Sequence, residues 1–146
     1  VGRATLYRNF PGRTEIALAV LLDDVAELGE RFAEPTSPDA FLDFIAGLSD
    51  RLVRNTALGG VVRAAPSPEI LKPLRLAMVE AAMPALKTSQ AAGVVRADLA
   101  ASDIRVLSAM LGAGLHNAAP RERNMIAARS LEFVLDAVRA VPGRQA

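Results

Sequence analysis

Three arginines, Arg3, Arg8 and Arg13, stand in the first thirteen residues with no acid among them, beside Thr5, Tyr7 and Asn9. Side chains of these types meet nucleic acid in two ways. A guanidinium pairs bidentately with guanine, and a threonine offers a hydroxyl and a methyl to base edges. Arginine, asparagine and tyrosine donors suit phosphate oxygens, which position a protein without reading sequence. On a short helix over about residues 3–9, Arg3, Ala4 and Thr5 occupy the N-terminal turn, the part of a recognition helix that reaches bases in a major groove. Tyr7, Arg8 and Asn9 then fall to phosphates. Arg13 lies at the start of the next helix, where free amides and the helix dipole also favour a phosphate. Leu6 and Phe10, four apart, face inward.

Other chemistry is poorly supplied. With no Cys and a single His, His116, the sequence excludes a disulfide scaffold, a zinc finger and a Cys nucleophile. No carboxylate pair and no Ser/His/Asp grouping stands at a spacing that would gather it on one helix face, so we expect no enzyme, no cofactor and no metal. The net charge is only +1, from 17 basic and 16 acidic residues. That average hides a local +3 at the first thirteen residues on a slightly acidic remainder. No apolar run approaches the roughly 18 residues that span a bilayer, and the N-terminus does not read as a secretion signal. A cytoplasmic protein that inserts in no membrane is the expectation.

The elements that must position these residues are helical. The chain has 146 residues, 51% of them hydrophobic, and is long enough to bury a core of its own. Apolar residues recur at three- and four-residue steps between Pro and Gly breaks, and nowhere alternate over a strand length. After the short first helix, a long one runs from Gly12, with Glu15 in capping-box position, to about Phe32. Ser37-Pro38-Asp39 opens the next, which Gly59-Gly60 should break. Ser67-Pro68-Glu69 repeats that start signal, and Pro73 and Pro84 should kink or split the span from Ile70 to Ala92. A helix capped at Ser102-Asp103 runs to about Asn117, apolar on nearly all sides. The last spans about Arg121 to Val141, before a tail that should fray.

The stretch VGRATLYRNFPGRTEIALAVL, from Val1 to Leu21, closely resembles the recognition helix and following helix of the tetracycline-repressor (TetR) family of bacterial transcription regulators. Val1, Thr5, Leu6, Tyr7, Phe10 and Arg13 match the family pattern, and Asn9 stands where His is usual. A weaker similarity lies at Gln90 to Ile104, like the connection before the last two helices of many members. The resemblance implies an all-α helical bundle in two parts: residues 1–33 as a partial helix-turn-helix region, and 34–146 as a ligand-binding and dimerisation domain. The first helix of the helix-turn-helix should precede Val1, so the chain reads as a regulator lacking its first helices.

The resemblance further implies a homodimer on double-stranded operator DNA, released by a small apolar or amphipathic effector. Phe41, Phe44, Leu48, Leu71, Leu74, Met78, Met83, Leu86, Met110 and His116 are the expected pocket residues, though apolar residues at helical spacing are more often plain core, and a lone histidine is more often a core or interface residue than a ligand contact. The apolar helix around Val106 to Leu115 needs a second surface, which gives Val106, Met110, Ala113 and Gly114, with Leu131, Val134, Leu135 and Val138, as the expected dimer interface. The expected function is a ligand-responsive transcription regulator, a repressor on a palindromic operator. The alternative is a helical dimerisation or small-molecule-binding module with no role on DNA.

Overall fold

The computed structural model describes residues 12–65 and 67–141, and every regular element among them is helical. The order is α1 (Arg13–Arg31), α2 (Ala40–Arg54), α3 (Thr56–Arg63), a 3-10 turn (Pro68–Leu71), α4 (Lys72–Ala91), α5 (Ala101–Gly112) and α6 (Pro120–Val138). The all-α bundle expected from apolar periodicity is the fold.

Local chemistry sets most of the boundaries. Gly12 precedes α1 in extended conformation, with the Glu15 carboxylate folded back over it where a Cβ would otherwise stand. Ser67 Oγ accepts from the Glu69 amide at 3.2 Å, and the expected start signal there opens as the 3-10 turn that feeds α4. Ser37 likewise accepts from Asp39 N at 3.2 Å, but this forms a separate turn, and α2 begins only at Ala40. Gly93, at φ +71°, closes α4 in the left-handed conformation that glycine adopts without steric cost.

Three expectations are corrected. Gly59-Gly60 do not break a helix; they lie inside α3, and the interruption falls at Asn55. The Thr56 hydroxyl donates back to the Leu52 and Val53 carbonyls at 3.0 and 2.7 Å, which satisfies the end of α2 one turn earlier. α4 is not split, because Pro73 sits in the first turn, where its missing amide costs nothing, and the helix runs on through Pro84 to Ala91. α5 stops at Gly112 instead of Asn117, with Gly114 at φ +81° turning the chain, and its N-terminal partner is Asp103, whose carboxylate accepts from Ala100 N at 2.8 Å.

The core gathers Val25, Leu28 and Phe32 of the first helix region with Phe41, Phe44, Ile45 and Leu48 of α2, Ala82, Ala85 and Leu86 of α4, Leu107 and Leu111 of α5, and Val134 and Val138 of α6. Phe44 meets Phe32 edge-on at 5.6 Å and lies parallel to Phe41 at 6.3 Å, so three of the five phenylalanines form one buried cluster. α1 packs on α4 and α3, while α2 runs between α4 and α6. Beyond α6 the chain pairs with the α4–α5 connection: Arg96 N donates to Val138 O and Ala140 N to Val94 O, both at 2.9 Å. α6 therefore ends at Val138, short of the expected Val141.

Candidate functional site

A cavity of about 200 Å³ opens between α1, α2, α3 and α4, and Leu115 and His116 from the turn after α5 also line it. Its walls are mostly apolar. Leu21 and Val25 come from α1, Leu48 and Leu52 from α2, Val62 from α3, Leu74 and Met78 from α4, and Leu115 from the turn after α5. The amphipathic faces of α1 and α2 bring these residues inward for the same reason that they bury the core, so the cavity is an unfilled extension of it.

Polar groups reach it too. Arg51, whose side chain is only 15% exposed, sets its Nε 3.3 Å from Asp24 Oδ1 and donates to the Asp24 carbonyl at 3.1 Å. Asn55 Nδ2 donates to the other Asp24 oxygen at 2.7 Å. This group is internally satisfied and joins α1 to α2. Arg63 and His116, both exposed, also line the cavity. The Arg63 guanidinium folds back along α3 over Gly59, where an added Cβ would lie 3.4 Å from Nη1. Partial burial lowers its pKa. The His116 imidazole is also held below its ordinary value of 6.5, first by desolvation and then by the Arg63 charge.

Of the expected pocket residues, the cavity takes Leu48, Leu74, Met78 and His116. The others are placed elsewhere. Phe41, Phe44 and Leu86 are fully enclosed in the core, where ring and aliphatic packing leaves no free face. Met83 packs against that core, Leu71 ends the 3-10 turn, and Met110 is 41% exposed on the outside of α5. Asp24, Arg51, Asn55, Thr56 and Arg63 were not expected. The four-residue step from Arg51 to Asn55, on the same side of α2 as Leu48 and Leu52, is the one signal that pointed toward them.

For the expected interface, Val106 is 54% exposed, and Met110, Ala113 and Gly114 are also open. α5 is thus buried on one face only, through Ile104, Leu107 and Leu111. Val134 and Val138 are corrected: both are enclosed in the chain's own core, since the α6 stripe that carries them faces α2 and α5. Leu131 and Leu135 pack half-buried beside them. What α6 presents outward is Met125 and Phe133, the latter covered on one side by the Arg129 guanidinium at 4.3 Å.

Among the DNA-reading candidates, Arg3, Ala4, Thr5, Tyr7, Arg8 and Asn9 lie outside the described residues. Arg13 is exposed at the first position of α1. Among the described residues no group of three His, Cys, Asp or Glu side chains is placed to hold a metal ion, and no helix is long and apolar enough to cross a membrane. The chain matches no family model, no curated protein and no solved structure.

Proposed function

We propose that the protein is a ligand-responsive transcription regulator of the TetR type, a repressor that binds a palindromic operator as a homodimer and leaves it when a small molecule enters the cavity. One observation carries the reading. α1 contributes Leu21, Asp24 and Val25 to the cavity, and its first residue, Arg13, directly follows the segment whose residues resemble a recognition helix. A ligand that prefers one tilt of α1 therefore acts on the segment that reads DNA through a single rigid element. Coupling of this kind is typically worth about 1–3 kcal/mol, enough to change operator occupancy.

The test is selection of bound duplexes from a random-sequence library by the protein. The expected result is a two-fold symmetric site with half-sites roughly 34–36 Å apart. Arg3→Ala and Thr5→Ala should relax base preference, whereas Arg13→Ala should weaken binding to all sequences and flatten its salt dependence. Enrichment of no sequence, or of an asymmetric one, rejects the proposal. The second reading, a small-molecule-binding module without a role on DNA, is favoured by the cavity alone, and it requires all three variants to behave as the parent does.

A further inference from the structure

We propose that the cavity takes a small monocarboxylic acid, aryl or short-chain alkyl, with its apolar body against Leu21, Leu52, Leu74 and Met78 and its carboxylate between Arg63 and His116. This deepens the regulatory reading, and rests on it only for what binding does to DNA affinity. Size sets the first limit. A cavity of about 150 Å³ holds benzene, so the roughly 200 Å³ here suits a ring or short chain plus one polar group, about ten non-hydrogen atoms. The eight apolar residues that line it require that most of those atoms be carbon.

Charge sets the second limit. The charged or titratable groups facing the cavity are Asp24, Arg51, Arg63 and His116. Asp24 and Arg51 satisfy each other, with Asn55 on the remaining carboxylate oxygen, and have little to offer a ligand. Arg63 makes no ion pair with any described acid, and the bare backbone of Gly59 and Gly60 leaves its guanidinium lying along α3 beside the cavity. His116 gives up its proton more easily, first because of desolvation and then because of that charge. At pH 7 the imidazole is therefore neutral and keeps one N–H to donate, and Arg63 is a cation with no acid partner among the described residues, an arrangement that disfavours a cationic ligand and gains little from a neutral one. A carboxylate supplies the missing charge, accepts from both side chains, and returns the His116 pKa toward or above its ordinary value.

Isothermal titration at pH 7 with phenylacetate and hexanoate, each against its neutral amide, tests this on the unmodified protein. The acids should bind about tenfold or more tightly than the amides, the size of effect given by a hydrogen bond to a charged group. Arg63→Gln, at an exposed position, should leave the circular dichroism unchanged, bring the acids down to the level of the amides and leave the amides as they were. Because His116 is the chain's one histidine, its imidazole resonances report directly, and their midpoint should rise when phenylacetate is bound. Equal affinity for acid and amide, binding of neither, or an acid preference that survives Arg63→Gln overturns the proposal. The operator selection is independent: its failure with acid binding intact removes the regulator and keeps the ligand class, and the reverse result removes only the ligand class.

Discussion

Ser89 lies in the last turns of α4, fully buried, and its Oγ accepts from the Phe41 amide at 2.9 Å, forty-eight residues away in sequence. That amide is one of the donors left open at the start of α2, so a side chain on another helix completes a helix end. Ser89→Ala should cost about 1–3 kcal/mol, because the amide is left buried and unpaired, and chemical denaturation would show it as a lower midpoint at unchanged slope. A loss under a few tenths of a kcal/mol would mean that water replaces the hydroxyl. His116 makes a weaker and opposite kind of statement. Its pKa is lower in the fold than in the unfolded chain, so the unfolded state binds more protons between the two values. Its contribution is present above pH 6.5 and is lost as pH falls through the folded value, and a His116→Gln variant should flatten that part of the stability profile, measured by thermal melts from pH 5 to 8. Ser89 could not be found from sequence, since a serine inside a helical stretch has many uses and the partner is remote. His116 was visible as the one titratable imidazole, but its place near the Arg63 charge was not.

α1 and α4 approach closely at Gly29, where an added Cβ would stand 3.1 Å from the Ala81 Cβ and 3.4 Å from its Cα. Alanine is about 1 kcal/mol better than glycine within a helix, which by itself predicts stabilisation. The contact opposes it, because the neighbouring atoms belong to the helix backbone and its first carbon, and yield only if the helices part. Gly29→Ala should therefore destabilise, by about 1 kcal/mol, and Gly29→Ala with Ala81→Gly should recover most of that loss in a double-mutant cycle. Simple gain in the single variant would show that α1 is free to shift. Which helices exist was legible from spacing and from Pro and Ser start signals, and α1, α4 and α6 lie within a few residues of their expected bounds. The α2–α3 boundary was not, because Gly59 and Gly60 read as a break while the decisive groups were the Thr56 hydroxyl and the carbonyls it reaches. Glycine is only a weak helix breaker when a buried neighbour such as Val62 anchors the same turn.

At the scale of the molecule, the outer faces of α5 and α6 leave Val106, Met110, Met125 and Phe133 each more than 40% exposed. Apolar side chains open to water over two helices are what a proposed contact between copies would cover. The homodimer proposed with the regulatory function places its contact here, and Val106→Glu with Met110→Glu should yield a monomer by analytical ultracentrifugation while the helical content stays unchanged. A parent protein that is already monomeric at tens of micromolar would remove the dimer from the proposal.

Apolar periodicity and capping residues determined, by themselves, that this chain is a bundle of helices and roughly where each begins, because both act within a few residues of sequence. The proposal of DNA binding rests on the basic, Thr-Leu-Tyr-bearing start, which is local in the same way. Tertiary structure alone decided which apolar residues fill the core and which line the cavity: Phe41, Phe44 and Leu48 share one face of α2, yet only Leu48 reaches the cavity. It also turned Val134 and Val138 inward while leaving Val106 and Met110 outside. Periodicity assigns a residue to a face of its helix, and the packing of helices distant in sequence decides what that face meets.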